Sequence, residues 1–297
     1  MSTGHVATSC AKCILLGEHA ILEGGSALAL PIKNLRVEIE YLPSAEQEIF
    51  MDIPLDPQAK LLFWDLLKED FGDVETRGTY HVRSRIPIGA GLGSSAALCV
   101  ALHKLFRKNI SQYELIERAW KSEFKFHGKS SGIDPATIAV EKALHFKNPS
   151  DFSALEISAQ LRGTHIFVLF DTQVRRSTQN AIALTNSLKS RDHKQWKECI
   201  AKLHRLVASG KEALETGDAL LLGQAMNETH LQLSELGVSH EKLETLRNFA
   251  LDQGAVGAKL TGAGRGGFLL VLFDLQTWDA VKIRNHADLG SFFELRL

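Results

Sequence analysis

The stretch Pro87-Ile88-Gly89-Ala90-Gly91-Leu92-Gly93-Ser94-Ser95-Ala96-Ala97 sets glycines at every second position, then paired serines, then an apolar run. Glycine turns tightly and lets a backbone approach a ligand with no Cβ in the way. A helix starting at the serines points unpaired N–H groups back over the loop, and its dipole favours negative charge there. Such a loop can hold phosphates, and the Ser94 and Ser95 hydroxyls can bind an oxygen or a metal ion. A plain glycine turn capped by serine is the alternative. The loop is no Walker A motif, since G-x-x-x-x-G-K-[ST] occurs nowhere in the chain. The later G-x-G-x-x-G at Gly262, Gly264 and Gly267 runs into the apolar stretch 268–273, which reads as a strand. A dinucleotide site needs a helix there.

The chain has 297 residues, enough for one or two domains, with 44% hydrophobic and 23% charged residues. Its formal net charge is −1, so no basic excess points to nucleic acid. No apolar stretch reaches the roughly 18–20 residues that a bilayer span needs, and no secretory signal is visible, so a cytoplasmic setting is expected. Cys10 and Cys13 form a C-x-x-C without a second pair at zinc-site spacing. Buried reduced thiols and metal or redox use both fit this pair.

Residues 6–16, 27–42, 78–86, 138–146, 164–170, 256–261, 268–273 and 290–296 read as strands. Residues 58–69, 94–107, a segment starting at Ser111, 192–215, 217–233 and 240–252 read as helices. Mixed strands and helices give way near 160–175 to a helix-rich half that closes with strands, which suggests two domains.

Three further clusters carry chemistry. Lys12 lies in an apolar strand, where a charge is costly unless it is paired or snorkels out at the strand end; Glu18 and His19 follow that strand. Glu123 sits near the end of an amphipathic helix, and Asp134 stands before Pro135, where it is either a turn former or a carboxylate for phosphoryl transfer. Lys259-Leu260-Thr261-Gly262-Ala263-Gly264-Arg265-Gly266-Gly267 has more glycine than a hairpin needs.

In this order, over almost the whole chain, the clusters resemble the galactokinase, homoserine kinase, mevalonate kinase and phosphomevalonate kinase (GHMP) superfamily. Gly17-Glu18-His19-Ala20-Ile21-Leu22-Glu23-Gly24 is most similar to the mevalonate kinase pattern G-E-H-A-V-V-Y-G. Residues 127–134 resemble H-G-N-P-S-G-V-D, and 170–178 resemble T-N-T-K-V-P-R-S-T.

The resemblance implies an α+β fold of two domains, 1–165 and 166–297. The first is an α/β domain with a left-handed βαβ crossover; the second is ferredoxin-like. It also implies ATP-dependent phosphorylation of the primary hydroxyl of mevalonate. Asp134 and Lys12 take the catalytic positions. Pro87, Gly89, Ala90, Gly91, Leu92, Gly93, Ser94, Ser95 and Ala96 hold ATP, and Ser95 with Glu123 holds Mg2+. Glu18, His19, Thr172, Gly262 and Ala263 line the acceptor site, where His19 with one arginine could meet a carboxylate. A homodimer is allowed; nucleic acid and membrane partners are not implied. The chain departs from the family pattern at Lys129, Ser130, Pro135, Arg175 and Arg265, with Arg265 expected to face ATP or solvent. Lys129, Arg175, Arg176 and Arg265 could instead serve a second phosphate. Alternatives are therefore another kinase of the superfamily, a diphosphate decarboxylase of the same fold, or a non-catalytic relative.

Overall fold

A computed structural model describes residues 4–52, 57–72, 76–127, 130–175, 178–284 and 290–296. The chain forms two compact units of interleaved segments. One comprises Met1–Lys12, Pro31–Ile88 and Leu92–Glu141; the other comprises Cys13–Leu30, Gly89–Gly91 and Lys142–Leu297.

The first unit takes the opening of β1 (His5–Leu16), most of β2 (Ala27–Pro43), β3 (Glu48–Met51), α1 (Pro57–Asp70), β4 (Gly78–Ser84), α2 (Ser94–Phe106), α3 (Gln112–His127) and α4 (Ile133–Val140). The alternation Val37, Ile39, Tyr41 turns one face of β2 inward, all three being buried. Here β2 pairs antiparallel with β4, which pairs parallel with β3. Phe63, Phe71, Tyr41, Tyr80 and Phe106 meet edge-on or tilted, filling the space between sheet and helices. The helix α2 packs on α3 and α4.

Residues 138–140 belong to α4 and not to the strand that their apolar run predicts; the following strand is β5 (Leu144–Asn148). The helix α4 is short, with Ile133, Pro135, Ala136, Thr137 and Ile138 all buried, so no polar face marks its period. Pro135 suits its first turn, where a missing N–H costs nothing.

The second unit adds β5, β6 (Asp151–Ala154), α5 (Ala159–Thr164), β7 (His165–Asp171), α6 (Thr178–Arg191), α7 (His193–Thr216), α8 (Ala219–Glu235), α9 (Glu241–Asp252), β8 (Gly257–Thr261), β9 (Phe268–Asp274), α10 (Ala280–Arg284) and β10 (Phe292–Leu295). Within it β5 pairs with the start of β2, Ala27 opposite Phe146. The four-stranded antiparallel sheet has the order β10-β7-β9-β8. Strand–helices–strand–strand–helix–strand in that order is the ferredoxin-like arrangement. The strands β7 and β9 are buried on both faces, which is why their sequences are continuous apolar runs. Asp192 and Asp218 cap α7 and α8, accepting from the Gln195 and Leu221 N–H groups.

All four cysteines are free and buried, and burial pushes the Cys10 thiol up to about 11. Among the described residues no helix is long and apolar enough to cross a membrane.

Candidate active site

In the first unit Lys12 lies buried on β1, its backbone N–H donating to Leu92 O at 3.1 Å. Its Nζ reaches Asp134 Oδ1 at 2.9 Å. Asp134 stands in the first turn of α4, where the helix dipole also favours a carboxylate. Lys12 thus resolves its burial by pairing. Gly93 makes room for it. A Cβ there would stand 3.1 Å from Lys12 Cε and 3.3 Å from Ile138 Cδ1, and its φ of +75° is one that residues with a Cβ rarely adopt.

Glu123, buried on α3, faces the same cluster. Its Oε1 accepts from Ser95 Oγ at 3.2 Å and its Oε2 from Ser130 Oγ at 2.7 Å. Burial, then the charge of Asp134, raises its pKa to about 7; the Ser130 hydrogen bond, Lys12 and Ser95 pull the other way. The structure therefore brings together Lys12, Ser95, Glu123 and Asp134. Ser130, read from sequence only as a departure, joins them through the hydroxyl that a proline lacks. Lys129 and Arg176 lie outside the described residues.

The glycine loop opens as the sequence suggests. Gly89, Gly91 and Gly93 all have positive φ, and Gly89 and Gly91 are exposed. Ala90 and Leu92 turn inward between them, Pro87 is half-buried, and Ala96 is buried in the first turn of α2 beside Ser94 and Ser95. Within the second unit, residues 89–91 lie against the glycine segment 262–267. A Cβ on Gly267 would stand 2.8 Å from Ala90 O, and one on Gly262 would stand 3.4 Å from Gly91 O.

The expected acceptor residues all fall in the second unit, with their polar groups engaged. Glu18 forms an ion pair with Lys259, both buried. His19, at φ +59°, has Nε2 2.9 Å from Ala263 O. A carbonyl only accepts, so Nε2 carries the hydrogen. Burial lowers the His19 pKa against the opposing effect of that bond, which favours the neutral ring as the donor. The Thr172 hydroxyl donates to Gly267 O at 2.7 Å. Arg175 grips Asp171 with two bonds of 2.7 Å. Arg265 Nη1 donates to Ser239 O at 3.2 Å, a tether that its place in the glycine segment did not foretell. Lys259 was legible only as one more lysine in an apolar strand, the signal that also marks Lys12.

Comparison with known proteins identifies the family. The family descriptions "GHMP kinases N terminal domain" and "GHMP kinases C terminal" match residues 60–142 and 211–284. The mevalonate kinase of Pyrococcus abyssi is 31% identical over 301 residues, covering 90% of this chain and 88% of its own. A crystal structure of mevalonate kinase from Staphylococcus aureus MRSA252 aligns over 99% of both chains with a TM-score of 0.74 and 28% identity. The L. major mevalonate kinase in complex with R-mevalonate has the same fold, with a TM-score of 0.81 at 24% identity over 99% of this chain and 95% of that one. With relatives that match it nearly end to end, the chain belongs to the GHMP kinase family, in its mevalonate kinase branch, as an ATP-dependent small-molecule kinase.

Proposed function

We propose that this chain transfers the γ-phosphoryl group of ATP to the primary hydroxyl of mevalonate, giving 5-phosphomevalonate in isoprenoid synthesis. The observation that carries the reading is the Lys12–Asp134 pair at the start of α4, 2.9 Å apart. Asp134 orients the hydroxyl and accepts its proton; Lys12 balances the charge of Asp134 and steadies charge on the phosphoryl group in flight. Phosphoryl transfer asks mainly for positioning and charge neutralisation. The loop 87–96 holds the nucleotide phosphates on its backbone. Glu18, His19, Thr172, Gly262 and Ala263 shape the acceptor side.

Mg2+ fits the residues present. It prefers hard oxygen donors and keeps few protein ligands, and Ser95 Oγ and Glu123 Oε1 are such a pair, 3.2 Å apart. The raised proton affinity of Glu123 marks negative charge that a cation would compensate. Ser95 and Glu123 would hold the ion, which when bound neutralises phosphate charge. The family division into 1–165 and 166–297 is supported by the two family matches, one falling in each part. A cytoplasmic setting is supported by four free, buried cysteines.

A coupled ADP-release assay across mevalonate, phosphomevalonate, galactose and homoserine tests the reading. Preferred turnover of mevalonate is expected; preference for any other acceptor overturns it.

A further inference from the structure

Three contacts in the second unit join the end of β1 and the turn after it to β8 and the glycine segment that follows it. Ile14 and Thr261 bond twice: Ile14 N–H donates to Thr261 Oγ1 at 3.0 Å, and that hydroxyl donates to Ile14 O at 2.8 Å. Lys259 Nζ pairs with the Glu18 carboxylate. His19 Nε2 donates to Ala263 O at 2.9 Å. Lys259 and Thr261 stand two residues apart on β8 and so share one face, and the Ala263 carbonyl continues the contacts past the strand's end.

The middle and inner contacts are buried. Lys259 is 0% and Glu18 1% exposed, and Thr261 is 2% exposed. A lysine so placed is shielded from solvent; its other bond goes to Leu260 O. The turn it holds is tight: Ala20 N–H donates to Glu18 O at 2.6 Å, and His19 sits at a φ of +59°. A non-glycine residue in that region persists only where its surroundings over-determine it.

We infer that Lys259 and Thr261 are positioning residues, which hold the Gly17–His19 turn and the Gly262–Ala263 turn in fixed register so that together they form one acceptor-side surface. The inference rests on the acceptor reading above for its kinetic consequence, but not for its structural one. Glu18 on this account acts through its carboxylate's grip on Lys259 rather than by meeting the acceptor. Breaking the pair singly would leave one buried charge alone, which is strongly destabilising; replacing both partners by neutral groups removes that penalty.

The test compares wild type with Thr261→Val and with the double variant Glu18→Gln/Lys259→Met. Hydrogen exchange by mass spectrometry is read first, because it needs no substrate. Faster exchange confined to residues 14–25 and 259–267, with the 165–171 and 268–274 strands unchanged, is expected in both. Steady-state kinetics should then show KM for mevalonate raised at least ~10-fold in both variants, the scale of a small misplacement, with kcat changed less. Unchanged exchange, or a rise spread evenly over the chain, overturns the inference, as does wild-type KM in both variants. If wild type fails to turn over mevalonate, the acceptor reading falls and the exchange comparison still decides whether the two turns are held by these residues.

Discussion

The Lys12 ammonium and the Asp134 carboxylate stand 2.9 Å apart, the lysine side chain 3% exposed and the aspartate 26%. The asymmetry matters. A base that must receive a proton from a ligand needs an open oxygen, whereas its charge partner is best held rigid. Lys12 is fixed by β1, by the Leu92 carbonyl on its own N–H and by Gly93 packed against its stem. Asp134 is positioned by the first turn of α4 and by its pair with Lys12.

Replacing Asp134 by Asn keeps size and most hydrogen bonding but removes the charge. A kcat at least ~10²-fold lower is expected, the lower end of general-base contributions, with ATP affinity little changed by direct titration. Near wild-type turnover would return Asp134 to the role of a turn former.

Glu123 makes a pH prediction. Its carboxyl has an ordinary value of 4.5 and is raised to about 7 by burial and by Asp134. Between those values the folded chain keeps a proton that the unfolded chain has released, so this group's contribution to stability is lost as pH rises through that window. Gln stays neutral throughout. Glu123→Gln without divalent cation should therefore melt above wild type at pH 8, at about 2–4 °C per kcal/mol, with the gap closing towards pH 5. The same variant should lose kcat and the Mg2+ response of both Tm and rate. A pH-independent Tm difference, or a magnesium titration that overlays wild type, refutes the assignment.

Two glycines of one loop should separate by their effects. Gly93→Ala forces a Cβ to 3.1 Å from Lys12 Cε at a φ of +75°. The strain of roughly 1–2 kcal/mol should lower Tm, and the displaced lysine should lower kcat ~10–100-fold. Gly89→Ala, at φ +67°, meets nothing within 4 Å. It pays only the backbone cost, and its new methyl should raise the ATP KM by about tenfold, near 1.4 kcal/mol. Equal kinetic profiles for the two variants would contradict the division of labour within the loop.

How much of this was legible beforehand depends on the range of each interaction. The strands β7 and β9 and the helices α7 to α9 announce themselves by runs and period, because their burial is uniform or one-sided. The helix α4 does not, since a short and mostly apolar run from Ile133 to Val140 has no polar face to mark a helical period. The glycines at 89, 91 and 93 signalled a turn with positive φ, which they have. The pairing of Lys12 with Asp134 has no local signature; only the family resemblance named the two residues together. The pairing of Lys259 with Glu18 escaped both routes, because a lysine in a strand advertises the need for a partner but not its address. Ser130 was noted as an oddity, and its meaning became visible only when the Glu123 carboxylate was found 2.7 Å away.

The acceptor's charge is the last point to test. Mevalonate carries one carboxylate, whereas phosphomevalonate adds a phosphate of about −1.5 to −2. A site for that second anion needs cations not committed elsewhere. Among the described residues, Arg175 is committed to Asp171 through two 2.7 Å bonds and Arg265 to the Ser239 carbonyl at 3.2 Å, while burial disfavours the charged form of His19. Turnover with phosphomevalonate is accordingly expected at a kcat/KM at least ~10-fold below that with mevalonate, about 1.4 kcal/mol of discrimination. Arg265→Gly should leave the mevalonate KM within a few-fold, because glycine suits the φ of +64° at this position and the guanidinium serves only a carbonyl tether. If phosphomevalonate proves the better acceptor, or if Arg265→Gly selectively abolishes acceptor binding, the guanidinium must leave Ser239 to meet the ligand, and a phosphorylated acceptor replaces mevalonate.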